Sequence, residues 1–313
     1  MPEDAIDHID FDDLNQRAIS QPLVKHIYTA DPSAHVFNGK IYIYPSHDVD
    51  AGEAFDDLGS HFAMEDYHVI SMEDVDSEAI DHGVALHVDE VPWAEKQMWA
   101  PDAAHKNGKY YLYFPAKIDP AVFEDEDGSY YMYFGGIWGG QLQRWRTGVF
   151  NAEQPESPTA HIPTDDEPAL LPFVAKMTDD LLEFAEKPKE VQILDDNGDL
   201  LLAGDRERRF FEAAWLHKHN GKYYFSYSTG DTHFICYAIG DNPYGPFTYG
   251  GRILNPVVGW TTHHSICKVG EKWYLFYHDS SLSEGVTHLR SVKVTEITYH
   301  DDGSIVTLDP YRE

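Results

Sequence analysis

The chain has almost no cysteine: Cys236 and Cys267 are the only two in 313 residues, too few for a disulfide framework or a cysteine-based zinc site. It has no apolar run near the roughly 18 residues that a membrane-spanning helix needs. Its opening, Met1-Pro-Glu-Asp-Ala-Ile-Asp7, lacks the positive and then apolar segments of a secretory leader. The expectation is a reduced, cytoplasmic protein with no membrane partner. Basic residues are scarce as well: 23 Lys and Arg stand against 54 Asp and Glu, a formal net charge of −31. Such a field repels polyanions, which argues against a nucleic-acid partner and leaves a neutral substrate such as a sugar untouched. The acidic excess reads as a solvated surface; a saline habitat is the weaker reading, and activity that fails at molar salt would count against it. No Ser/Gly/Pro-rich linker interrupts the chain, which favours a single domain.

Aromatic residues are plentiful. They make up 14% of the sequence, with 20 Tyr, and suit pleated strands. Five times a glycine turn runs into an aromatic strand: Gly39-Lys-Ile-Tyr-Ile-Tyr, Gly108-Lys-Tyr-Tyr-Leu-Tyr, Gly128-Ser-Tyr-Tyr-Met-Tyr, Gly221-Lys-Tyr-Tyr-Phe-Ser-Tyr and Gly270-Glu-Lys-Trp-Tyr-Leu-Phe-Tyr. Asp31 lies eight residues before Gly39, Asp119 nine before Gly128, Glu212 nine before Gly221 and His263 seven before Gly270. Repeats of a few tens of residues, each mostly strand, point to a β-propeller. The expected fold is all-β, a five-bladed β-propeller in a single domain over residues 26–313, with residues 1–25 as an N-terminal arm closing on the last unit. In such a radial assembly, equivalent positions converge on one axis, so three acids and a histidine would meet in one pocket.

The intervals between the glycine turns are uneven: 69, 20, 93 and 49 residues. A four-stranded blade needs on the order of 40, so the second unit is too short. Either that blade is truncated or the chain lacks a segment near Lys117-Ile118; the second reading is preferred, and an intact mass above that of 313 residues would confirm it. The 93-residue interval reads as containing an extra segment, roughly Gly135 to Asp199, able to shape a pocket.

Glycoside hydrolysis needs one carboxylic acid to protonate the leaving oxygen and one carboxylate to activate water or attack the sugar. Asp31, Asp119 and Glu212 are candidates, although Asp31-Pro32 and Asp119-Pro120 also suit strand entry. Glu212, inside Phe210-Phe-Glu-Ala-Ala-Trp215, is harder to explain as a solvated residue, and burial would raise its pKa as a general acid requires.

The ordered set Ala30-Asp-Pro-Ser33, Trp99-Ala-Pro-Asp102, Ile118-Asp-Pro-Ala-Val-Phe-Glu-Asp125, Phe211-Glu-Ala-Ala-Trp215 and Thr262-His-His-Ser265 resembles the successive blade motifs of glycoside hydrolase family 43, from about Asp31 to Val294. The resemblance implies a propeller that cleaves xylose- and arabinose-containing glycans with inversion. By it, Asp31 is the general base, Glu212 the general acid and Asp119 the carboxylate that tunes and orients the acid. It also implies a divalent cation, calcium, at His263, with His264 facing away, and substrate contacts from Arg290. Trp99 offers a stacking face or a core contact. The function expected is an exo-acting, inverting β-xylosidase working on small oligosaccharides. The alternatives are an α-L-arabinofuranosidase using the same residues and, in another class, a non-catalytic sugar-binding propeller. Oligomeric state stays open.

Overall fold

The computed structural model describes residues 8–50, 52, 59, 61–94, 97–114, 119–137, 142–147, 161–260 and 262–313. Among the described residues, apart from one short helix, α1 (Phe11–Arg17), and two single 3-10 turns, the regular structure is strand. The first sheet runs β1 (Tyr28–Phe37), β2 (Lys40–Asp48), β3 (Asp66–Met72) and β4 (Ile80–His87); the second is β5 (Asp102–Lys106) with β6 (Lys109–Tyr113). The third comprises β7 (Ala121–Glu124), β8 (Tyr130–Phe134), β9 (Phe173–Lys176) and β10 (Lys189–Glu190). The fourth comprises β12 (Glu212–His219), β13 (Lys222–Ser228), β14 (Ile235–Gly240) and β15 (Phe247–Leu254), with β11 (Ile193–Leu194) added in parallel to β15. The fifth is β16 (His264–Val269), β17 (Lys272–Asp279) and β18 (Ser291–Ile297).

Local sequence explains the hairpins. Asn38-Gly39, Asn107-Gly108 and Asn220-Gly221 each link two antiparallel strands, and both residues of each pair have positive φ. That is the two-residue turn whose twist matches the strands, and Asn-Gly tolerates it best. The aromatic strands then pack face to face: Tyr227, Phe225, Phe247 and Tyr237 are all essentially inaccessible in the core beneath the fourth sheet.

The first strands of the sheets pack side by side, β1 on β5, β5 on β7, β7 on β12, β12 on β16 and β16 back on β1. The fold is all-β and propeller-like. Five complete blades are not formed, however. Among the described residues four sheets have three or more strands, whereas β5 and β6 make only a hairpin. The reason is length, because the step from Gly108 to Gly128 leaves no room for two further strands. The expected gap near Lys117-Ile118 lies outside the described residues. The supposed insertion at Gly135–Asp199 is also corrected: it supplies β9, β10 and β11, which complete the third sheet and edge the fourth.

The N-terminal stretch lies along the last sheet. Ile19 N–H donates to Pro310 C=O, Leu23 N–H to Val292 C=O and Thr29 N–H to Arg290 C=O. Asp10 caps α1 by accepting the Asp13 N–H at 3.0 Å.

Candidate active site

Two matching irregularities aim the acids. β1 pairs with β2 in steady register from Phe37 to Ser33, then slips so that Asp31 and Pro32 oppose one residue. β12 slips on β13 in the same way, with Ala213 and Ala214 opposing one residue. These are β-bulges, which bend a strand and re-aim its side chains. Asp31 (φ 48°) and Ala213 (φ 60°) take the left-handed conformation there, at a cost of about 1–2 kcal/mol each for a non-glycine residue. Asp31 therefore sits inside its bulge and Glu212 one residue ahead of its own. The eight- and nine-residue offsets in the sequence express that difference.

Asp31 is only 4% exposed. Its Oδ1 accepts from Arg290 Nη1 at 2.9 Å and its Oδ2 from Ser46 Oγ at 2.8 Å. Its backbone N–H donates to His278 Nδ1 at 3.0 Å. Burial alone would raise the Asp31 pKa; Arg290, His263, His278 and the Ser46 hydroxyl more than offset it and hold the carboxyl down to about 2. Arg290 is fixed in turn: Nε and Nη2 fork onto Asp48 at 2.8 and 2.7 Å, and the Arg290 N–H donates to the same carboxylate at 2.9 Å. Such bidentate pairs are the strong, geometrically specific ones.

Glu212 has the opposite character. Burial pushes its pKa well up, and the like charges of Asp119 and Asp31 push it further. Asp119 is itself raised by burial, with His263 opposing and Asp31 reinforcing. Its Oδ2 accepts the Ala213 N–H at 3.3 Å, tying it to the bulge beside Glu212. The site thus sets Asp31, whose pKa is held down, against Glu212 and Asp119, whose pKa values are raised. Asp31 and Glu212 together can deliver a proton to one atom and withdraw one from another.

The remaining expected site residues fall as follows. Neither ring nitrogen of His263 has a hydrogen-bond partner among the described residues, although both are buried, and Nε2 lies 3.8 Å from Asp119 Oδ2. His264, by contrast, is fully buried with Nε2 on Ser226 Oγ at 2.7 Å. Trp99 is half-buried, its ring packed on Phe62 at 5.4 Å, and Phe62 in turn underlies the Arg290 guanidinium at 5.1 Å. Arg290, expected to touch substrate, is 2% exposed and committed to Asp31 and Asp48.

Residues 163–305 match the model of the glycosyl hydrolases family 43. Xylosidase/arabinosidase 43A of Humicola insolens is 56% identical, over 92% of this chain and 99% of its own length. The chain belongs to glycosyl hydrolases family 43. A β-xylosidase of Xylanibacter ruminicola is 50% identical over 90% of this chain and 97% of its own. Among solved structures, the family 43 β-xylosidase/α-arabinofuranosidase CoXyl43 from a compost microbial metagenome, in complex with xylotriose and in calcium-free form, superposes with a TM-score of 0.90. It is 58% identical and covers 94% of this chain and 98% of that one.

This family 43 member is therefore a glycoside hydrolase. The alignment with the Humicola insolens relative spans 328 positions yet covers 92% of a 313-residue chain, so that relative carries residues with no counterpart here. Three residues of the site escaped sequence reading: Ser46, Asp48 and His278. A signal for two of them was present, since Ser46 and Asp48 alternate on β2 and so share one face, turned toward Asp31 and Arg290. His278 offered none, being one more polar residue at the end of an aromatic strand.

Proposed function

We propose that this enzyme is an exo-acting, inverting β-xylosidase releasing xylose from short xylo-oligosaccharides, with α-L-arabinofuranosidase action at the same site. The observation that carries the proposal is the convergence of the carboxyls: Asp119 is bonded to the bulge beside Glu212 and lies 3.8 Å from His263, while their surroundings hold the Asp31 pKa down and push the Glu212 pKa up. Glu212 gives its proton to the glycosidic oxygen as the bond to the anomeric carbon breaks. A water molecule attacks that carbon from the opposite face while Asp31 takes its proton, and the configuration inverts. Asp119 keeps Glu212 protonated until the bond breaks. Arg290 and Ser46 position Asp31, and Trp99 supplies an apolar wall. The names of the relatives, and the neighbours solved with xylotriose and xylose, support xylose units as substrate. A cytoplasmic location belongs to the same proposal and is checked by fractionating source cells with the assay.

Calcium is the cation proposed at His263, in keeping with the neighbour described as calcium-free. The buried, unpartnered ring nitrogens of His263 fit a ligand role, and a single imidazole leaves the other positions to water, which suits an oxygen-seeking ion. Bound at His263, the ion would supply a fixed positive charge beside the Asp119 carboxylate. Chelation is expected to lower the rate and added calcium to restore it; indifference to both would return His263 to a structural role.

The deciding experiment compares initial rates on aryl β-D-xylopyranoside and aryl α-L-arabinofuranoside for the wild type, Asp31→Asn and Glu212→Gln. Asp31→Asn is expected to lose about 10²–10⁴-fold on both. Glu212→Gln should lose as much on xylobiose but far less on a glycoside whose leaving group needs no proton. Equal losses on both leaving groups would remove Glu212 from the acid role, and no turnover of any glycoside would favour the binding-protein alternative.

A further inference from the structure

Behind the strand that carries Ser46 and Asp48 lies a second cluster of chemistry-bearing side chains. In the antiparallel pair of β2 and β3, Ser46 stands opposite Tyr67, which places His47 opposite Asp66 and puts Asp66 and His68 on one face. His47 Nδ1 lies 2.7 Å from Asp66 Oδ1, His68 Nε2 lies 3.7 Å from the same oxygen, and the two rings meet edge to face at 4.6 Å. One potential ligand atom from each of the three residues lies within 4.8 Å of the others. The side chains of His47, Asp66 and His68 are 18%, 13% and 9% exposed, so the cluster is sheltered yet open to an entering ion.

The orientation of His68 is the informative part. Its Nδ1 lies 2.9 Å from Asp81 Oδ1 on β4. Asp81 is held by the Gly83 N–H at 2.8 Å and by His26 Nε2 at 2.8 Å. With the Nδ1 proton donated to Asp81, the neutral ring turns the Nε2 lone pair toward the Asp66 carboxylate. The 3.7 Å gap between them is too wide for a hydrogen bond, and the same Asp66 oxygen takes His47 Nδ1 at 2.7 Å. A carboxylate behind a histidine that presents its other nitrogen is the arrangement that fixes metal-ligating imidazoles. Ligand atoms around a four-coordinate zinc are roughly 3.3 Å apart, given bonds near 2.0–2.1 Å, so small side-chain adjustments close the site.

We infer that His47, Asp66 and His68 form a binding site for a borderline divalent cation of the zinc class, distinct from the axial position at His263, with Asp81 orienting His68. Two imidazoles and one carboxylate suit zinc and its first-row neighbours better than calcium, which seeks oxygen. The ion would pin β2 to β3 directly behind Ser46 and Asp48, stiffening the strand that supports the catalytic base.

The test uses the full chain, stripped with chelator and returned to calcium-containing buffer, then titrated with zinc chloride by calorimetry and followed by thermal melting. Wild type and His263→Ala are each expected to bind one equivalent at this site and to melt higher with zinc. His68→Ala should lose that equivalent and the rise in Tm, and Asp81→Asn should bind about 10–100-fold more weakly. His47→Gln, with its fold checked by near-ultraviolet circular dichroism, replaces His68→Ala should the latter not fold. The proposal is overturned if wild type binds no zinc, if His68→Ala and His47→Gln bind it as wild type does, or if only His263→Ala abolishes binding.

Discussion

At the scale of the residue, the chemistry rests on two carboxyls driven in opposite directions by their surroundings. Asp119 is the discriminating position because its charge raises Glu212, whereas Asp31 is held down chiefly by Arg290. Asp119→Asn removes that like charge, so the ionised form of Glu212 becomes easier to reach and its pKa falls. The alkaline limb of the pH–rate profile is therefore expected to move to lower pH, while the acid limb, governed by Asp31 near 2, does not rise, since losing a like charge can only favour its ionised form. A profile with both limbs unmoved would deny Asp119 its tuning role. The raised acid was legible in the sequence, since a Glu among Phe210, Phe211, Ala213 and Ala214 has little solvent to ionise into. The Arg290–Asp48 fork was not, because its partners stand 242 residues apart and no local pattern announces such a pair.

At the scale of the element, turns and aromatic strands were readable because Asn-Gly and alternating aromatics act locally. The bulges were visible only as an unexplained one-residue offset between Asp31 and Glu212. The two-residue strands β10 and β11 were invisible, since so short a segment exists only by pairing with a neighbour. Glu212 also depends on the element behind it. Gly230, at φ 74°, follows β13, and a Cβ added there would come within 2.4 Å of the Phe211 ring. Phe211 is 1% exposed and its N–H is bonded to Ser228 C=O, so it has little room to retreat. Gly230→Ala is expected to cost about 1–3 kcal/mol through overpacking and to lower kcat by displacing the neighbouring Glu212. Unchanged melting and an unchanged rate on an aryl xyloside would mean that Phe211 moves aside freely.

At the scale of the whole molecule, the ring is closed without a covalent link. The first strand packs on β16, β17 and β18, Thr29 bonds to Arg290 C=O, and the stretch before β1 lies along β18 and the C-terminal residues. Arg290, at the edge of β18, reaches Asp48 at the end of β2 and Asp31 in β1. One guanidinium therefore joins the first sheet to the last and also holds the catalytic base ionised. Asp31, with a folded pKa below its ordinary 3.8, adds stability that is present above that value and is lost as pH falls toward 2. Closure and base should weaken together in strong acid. The link can be cut at neutral pH instead, by Asp48→Ala, which removes the acceptor of both the Nε and the Nη2 arms of the buried Arg290 fork and keeps the Nη1 bond to Asp31. Removing one partner of a buried pair costs about 3–5 kcal/mol, and urea unfolding is expected to show a loss of that size together with a raised acid limb of activity as Arg290 loses its fixed aim at Asp31. A loss below about 1 kcal/mol, the range of a solvent-exposed pair, would show that apolar packing between the first and last sheets closes the ring and that Arg290 serves the base alone.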